Sequence, residues 1–376
     1  MPFSKTDEFY LKKADKTIWM FGAGASFAKP YNVPLQMHLL DTFQKMTVGI
    51  SESTKNEFEK LRNRVSEECK KILPGAELSD VTLEEVFSAF EIQEQAGWTT
   101  SEEKEMARKA IFDLRKMLVN TTGVKGRGGA LKYKPHNRND RPSPYAELLE
   151  KLFPSNCGTD LLKANVLATM NYDISIDRCL LNMRDNECGN IDLDYGVDFA
   201  DYRLPSRFDR PSERSVLLLR LHGGLNWKRC LACQALFTTI SSHANVLPRE
   251  KCQMCGSERL DHVIVPPSFT RKYIDPVLQI IWGRLLEELR GADRWVFIGY
   301  SLPPADVHLR TLLRHAFNMR SVAGEKTLIY WVGFKESMDD KNWLKLGERY
   351  FHLFGDKAVA WEKAEEGFSG FVRGLQ

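Results

Sequence analysis

The sequence predicts an α/β fold: a parallel sheet with helices on both faces, a helical insertion and a small zinc-ribbon module. Three observations carry this. Six short runs are apolar without alternation, as strands covered on both faces are. The long stretch between the first two runs has mostly helical patterning. Two Cys-x2-Cys pairs, Cys230 with Cys233 and Cys252 with Cys255, stand eighteen residues apart.

Strands are expected at residues 17–21, 166–169, 216–221, 262–265, 295–298 and 328–332. Amphipathic helices lie between them. Leu35, Leu39, Phe43 and Met46 share one stripe, as do Val277, Ile281, Leu285 and Leu289. Strands alternating with such helices make the sheet Rossmann-like. The insertion is read from helices over 56–71, 83–95, 102–120 and 145–153, with Thr82 and Glu85 at capping-box spacing. Residues 121–144 hold GRGG, three prolines and six basic residues (Lys125, Arg127, Lys132, Lys134, Arg138, Arg141) against Asp140. That is the composition of a flexible loop. The expected boundaries are 1–48 for the first part of the Rossmann-like domain and 49–160 for the insertion. The domain continues over 161–229, the zinc module spans 230–260, and 261–376 completes the domain with C-terminal helices.

With 376 residues the chain is long enough to bury about three quarters of its unfolded surface, so no staples are needed. Hydrophobic residues at 43% and charged residues at 27% exclude disordered, collagenous and coiled-coil classes. The net charge of +3 gives no global argument for nucleic acid or membrane. No apolar run approaches a membrane span, and the first residues lack a signal-peptide core. A cytoplasmic protein is expected. Cys69, Cys157, Cys179 and Cys188 are scattered singly, which suits reduced thiols. The paired cysteines suit one structural Zn2+ held by four thiolates, a set that leaves no open position for catalysis.

Four strand ends carry polar or glycine-rich motifs. After the first comes Gly22-Ala23-Gly24-Ala25-Ser26, small residues that let backbone amides approach a diphosphate. A bare tight turn accounts for them equally, and Phe27 stands where a dehydrogenase fingerprint needs its third glycine. After the second comes Thr169-Met170-Asn171-Tyr172-Asp173, read either as side chains directed into a crevice or as an Asx turn starting a helix at 174–181. The third leads into Arg220-Leu221-His222-Gly223-Gly224-Leu225-Asn226-Trp227, where His222 is a candidate base; most single histidines are structural. The last is Gly299-Tyr300-Ser301-Leu302-Pro303-Pro304-Ala305-Asp306, in which Asp306 is a candidate helix cap.

In this order (GAGxS, TxNxD, His-Gly, two CxxC pairs, Gly-x-Ser) the motifs resemble the sirtuin superfamily. NYD, LHGGLNW and GYSLPPAD look more like its bacterial sirtuin-like members of anti-phage defence systems than its histone-deacylating branch. The resemblance spans roughly residues 17–316, with the helical insertion unmatched. It implies that NAD is bound by Gly22, Ala23, Gly24, Ala25, Ser26, Thr169, Asn171, Gly299 and Ser301. It further implies that Asn171, Asp173 and His222 surround the nicotinamide ribose; in the expected mechanism Asp173 fixes Asn171. Two departures from the deacylases stand out. Ala28-Lys29-Pro30-Tyr31-Asn32-Val33-Pro34 replaces their arginine motif, and Val265-Pro266-Pro267-Ser268-Phe269 replaces the segment that pairs with acyl-lysine peptides. Prolines remove strand donors there.

The expected activity is NAD hydrolysis to ADP-ribose and nicotinamide, with a deacylase or ADP-ribosyltransferase, or a non-enzymatic NAD or ADP-ribose sensor, as alternatives. A homo-oligomer built partly through Leu83, Val86, Phe87 and Phe90 is expected, with packing of these residues inside the insertion as the equal alternative. So is control by assembly or by a partner such as a DNA-translocating ATPase, with the basic loop as a candidate contact to nucleic acid or a neighbouring subunit.

Overall fold

The computed structural model describes residues 4–6, 15–27, 52–72, 81–130, 143–187, 191–201, 208–209, 212–238, 251–266, 268, 275–333, 340–361 and 367–375. The helix expected at 35–46, the segment 28–34 and Cys188 lie outside them. The main sheet begins with β1 (Ser4–Thr6), β2 (Thr17–Phe21), β3 (Asn165–Thr169) and β4 (Asp192–Asp194). After β5 (Phe199–Asp201) and β6 (Phe208–Asp209), which belong elsewhere, it takes β7 (Ser215–Arg220). Next come β8 (Gly223–Cys230), β9 (Leu236–Thr238) and β10 (Leu260–Ile264), then β11 (Arg294–Ile298), β12 (Leu328–Val332) and β13 (Ala358–Trp361). The eight-stranded sheet runs β1-β13-β12-β11-β2-β3-β7-β4, every pair parallel. Both faces of β2, β3 and β11 are buried throughout, which is why their sequences do not alternate.

Register shows how the faces are covered. Ile18 lies beside Trp295 and Met20 beside Phe297, so Trp19 and Phe21 point to the opposite face from Trp295 and Phe297. Phe21 packs on Tyr145 of α5 (Pro144–Leu152), and Trp19 on Phe371 of α11 (Gly367–Gly374). On the other face Trp295 meets Phe317 of α9 (Val307–Val322) and Phe354 of α10 (Asp340–Phe354). Helices therefore cover both faces, as expected.

The strand expected at 262–265 is not part of this sheet. As β10 it pairs antiparallel with β8 in a second sheet, ordered β10-β8-β9-β5-β6. It is an edge strand, and its first three residues are only half-buried. Its apolar end, from Val263, meets the rest of the molecule. This smaller sheet draws strands from 199 to 264, so the cysteines sit on a larger scaffold than 230–260 alone.

The insertion forms α2 (Glu52–Ile72), α3 (Leu83–Gln95) and α4 (Ser101–Ala130). Thr82 caps α3 as its spacing implied: its hydroxyl accepts from Glu85 N, while its own N–H donates to Glu85 Oε2. Thr100 and Glu103 repeat the device at α4, a second Thr-x-x-Glu that sequence reasoning passed over. Residues 121–130, expected to be loop, continue α4 as helix. Adding turns to an existing helix costs far less than starting one, which offsets the poor propensities of their glycines. Residues 131–142 lie outside the described set, and with them Lys132, Lys134, Arg138, Asp140 and Arg141. Phe87 and Phe90 are fully buried against Val65, Cys69, Ala107, Ala110 and Leu114, together with Ile174, Leu225 and Ile264. The apolar surface expected to build an oligomer is thus spent joining the three helices to one another and to the body of the protein.

Candidate active site

Strands β11, β2, β3 and β7 stand side by side and parallel, so their carboxyl ends open onto one edge. From β2 the chain builds outward through β3 and β7, then returns to β11 and builds the other way through β12 and β13. The order reverses between β2 and β11, and open α/β sheets bind ligands at such a switch point. The loops leaving these four ends hold all the sequence-predicted residues other than the cysteines.

At the switch point the two glycine loops meet backbone to backbone. Gly22 N donates to Ile298 O, Gly24 N to Gly299 O and Ala25 N to Gly22 O, at 2.9–3.0 Å. Gly299 has φ +63°, and a Cβ on it would stand 2.2 Å from Ala25 N; only glycine fits. Residues 23–27 form one short turn of helix, α1 (Ala23–Phe27). Three amides expected to face a diphosphate are therefore already bonded within the protein. Ala23 is exposed and Gly24 half-buried, while Gly22, Ala25 and Ser26 are buried. Ser301 is exposed, and its carbonyl accepts from Arg349. Asp306 makes no side-chain cap to α9; its carboxylate instead accepts the Tyr300 hydroxyl at 2.6 Å.

Thr169 ends β3 and ties the next loop down: its hydroxyl donates to Phe21 O and accepts from Asn171 N. The Asn171 amide group donates to Gly22 O and to Ser26 Oγ, both at 2.9 Å. Ser26 Oγ is in turn 3.1 Å from the Tyr145 hydroxyl. Tyr145 is a site residue that sequence reasoning missed, since a tyrosine at a helix start in an insertion gives no signal. Burial first, then the nearby Asp173 charge, push its phenol well above the usual tyrosine value, so it stays protonated.

Asp173 does not hold Asn171. Its Oδ1 accepts from Ser175 N at 2.9 Å, making the Asx turn that starts α7 (Ser175–Asn182). The crevice and turn readings of this motif thus divide between its residues. The group that grips the loop is Arg220, at the end of β7. Its Nη2 donates to the carbonyls of Asn171 and Tyr172 at 3.0 Å and of Asp173 at 2.7 Å. Its Nε donates to Gly223 O at 3.2 Å, and its Nη1 pairs with Asp177 of α7.

His222 follows two residues later, 4% exposed. Its Nδ1 lies 3.1 Å from Met170 O, and a carbonyl only accepts. Nδ1 therefore donates, which in the neutral tautomer places the lone pair on Nε2. The Tyr172 ring packs over His222 at 6.0 Å, and its hydroxyl donates to Val265 O at 2.7 Å. Val265 N donates to His222 O. Both polar groups of the Val265 backbone are thus taken within the protein.

The four paired cysteines converge at the end of β8. Their sulfurs lie within 4.8 Å of one another, with Cys230–Cys255 and Cys233–Cys252 at 3.6 Å. Thiolates at about 2.3 Å from a tetrahedral zinc stand about 3.8 Å apart, so the set fits the ion. Burial opposes ionisation of Cys230. The amides of Cys233 and Ala232 and the facing thiols of Cys255 and Cys252 outweigh it, bringing the thiol down to about 6.

No protein-family model and no curated protein matches the chain. Solved structures of Sir2 enzymes align along most of it. A structure of Sir2 enzymes described for mechanism and regulation is 14% identical, covering 96% of this chain and 93% of that one at a TM-score of 0.39. A Sir2 homologue mutant with ADP-ribose is 15% identical, covering 96% and 92% at 0.40. A Sir2 homolog–NAD complex is 16% identical, covering 96% and 90% at 0.38. Likeness at this level leaves family and activity unassigned, and the fold assignment rests on this chain's own strand order.

Proposed function

We propose that this protein is a sirtuin-like NAD hydrolase that cleaves the nicotinamide–ribose bond to give nicotinamide and ADP-ribose. The observation that carries the reading is the convergence of four motif loops on the carboxyl ends of four adjacent parallel strands at the switch point. The motif order supplies the substrate class through its resemblance to sirtuins.

Cleavage passes through an oxocarbenium-like ribose as nicotinamide leaves. The chain must position the sugar, exclude bulk water and stabilise developing positive charge. In this reading the exposed backbone of Ala23 meets the diphosphate, Gly24 lending close approach through its missing Cβ while its amide stays on Gly299 O, with Gly299 and Ser301 on the other side of the crevice. Asn171, held by Gly22 and Ser26, orients a ribose hydroxyl or the attacking water. Asp173 contributes negative potential near the ribose. Nε2 of His222 accepts a proton from the ribose hydroxyl or from water. Water is favoured as acceptor over an acyl-lysine peptide because Val265 spends its backbone groups on Tyr172 and His222, and prolines follow it. An NAD hydrolase needs restraint inside a cell, so control by assembly or by a partner such as a DNA-translocating ATPase, in anti-phage defence, belongs to the same reading.

The test is chromatographic assay of nicotinamide and ADP-ribose after incubation with NAD, alone and with candidate partners. Asn171→Ala and His222→Ala should each abolish NAD loss while circular dichroism stays that of the parent. Deacylation of an acyl-lysine peptide would transfer the reading to the deacylases. Binding of NAD without consumption under every condition would make the protein a sensor.

A further inference from the structure

We propose that Arg220 is a positioning residue that sets Asn171 against His222. The inference rests on the proposed function only in taking those two residues as the ones that work on the ribose.

Arg220 is fully buried, an expensive place for a permanent charge. Its ion pair with Asp177, itself fully buried, balances the charge. A hydrophobic pair of similar volume commonly does as well for stability, so stability alone is a weak reason for it. What a hydrophobic pair lacks is the planar fork of five N–H donors. Here the fork reaches three consecutive carbonyls of the Asn171–Asp173 loop on one side and Gly223 O, next to His222, on the other. The two loops leave different strands, β3 and β7; backbone bonds from Leu221 N to Thr169 O and from Leu225 N to Tyr172 O join them at two points, and the Arg220 fork holds the three carbonyls in and beside the gap between. The His222 Nδ1 bond to Met170 O closes the same gap from the histidine side. Asp177 is held in turn by the Tyr195 hydroxyl at 2.6 Å, which steadies the guanidinium's own anchor.

Lysine can keep a charge opposite Asp177 but is a point donor without the fork. Arg220→Lys should therefore lower kcat for NAD hydrolysis by about 100-fold, the scale of a misplacement near 1 Å, with KM within about threefold. A kcat within twofold of the parent would overturn the proposal, as would a loss expressed in KM alone. Hydrogen exchange compared between the parent and the variant gives a second arm that needs no NAD to be consumed, and Arg220→Met with Asp177→Leu, a hydrophobic pair of similar volume, serves beside the lysine variant. The amides of residues 171–175 should exchange at least 10-fold faster in the variants while those of the central strands are unchanged; equal rates in parent and variants would overturn the proposal. Faster exchange in variants of a parent that never consumes NAD would instead remove the hydrolase reading and leave the clamp standing.

Discussion

Gly223→Ala is the substitution for which the structure predicts the largest loss from the smallest chemical change. Gly223 opens β8 with φ +75°, opposite Ile264 of β10 at a point where the register shifts. An added Cβ would stand 1.8 Å from Val263 O and 2.7 Å from Val263 C, which are backbone atoms with no rotamer to escape into. Ordinary contact requires the β10 backbone to retreat by more than about 1 Å, breaking the register that holds Val265 N on His222 O. Gly324, at φ +76° with nothing within 4 Å of its Cβ position, separates the two costs. Gly324→Ala should lose only the left-handed penalty of about 1–2 kcal/mol. Gly223→Ala should lose that plus the overlap, more than about 4 kcal/mol in all. Urea unfolding of both variants against the parent measures the difference. Equal losses would refute the argument, since the backbone conformation would then be the whole cost.

Three further outcomes are expected. Tyr145→Phe keeps the ring against Phe21 and Phe368 and removes one hydroxyl from Ser26; it should cost about 1 kcal/mol in thermal unfolding and slow NAD consumption more than that loss explains. The four paired cysteines should retain one zinc per chain by mass spectrometry under native conditions, and Cys252→Ser should lose both metal and soluble yield. Because the same site binds zinc through thiolates and releases protons on doing so, its zinc should be given up progressively as the pH is lowered, read with a colorimetric chelator. Phe87→Ala, at a fully buried position, should cost about 3–5 kcal/mol, with protease cuts appearing first in the helical insertion and the sheet still folded.

Much of the architecture was legible because it depends on local pattern. Thr17–Phe21 and Leu328–Val332 are strands over the very residues whose unbroken hydrophobicity marked them: the first is buried on both faces, and the second is buried at Ile329, Trp331 and Val332. Leu83–Gln95 begins where Thr82 and Glu85 say it should, because a capping box is a contact between neighbours in sequence. The cysteine set was readable for the same reason: two turns each bring a pair together, and the chemistry of four sulfurs does the rest. What sequence left open was decided by partners distant along the chain. His262 and Val263 read like a core strand, yet lie on the edge of a second sheet because β8 was there to pair with. Phe87 and Phe90 suited an outer surface and a buried one equally, and α2, α4 and the body of the protein closing over them decided it. Asp173 had the composition of a ligand for Asn171 but turned to Ser175, two residues away. Arg220 and Tyr145 join loops about 50 and 120 residues apart in the chain, and only the parallel order of β2, β3 and β7 brings those loops within reach of a single side chain.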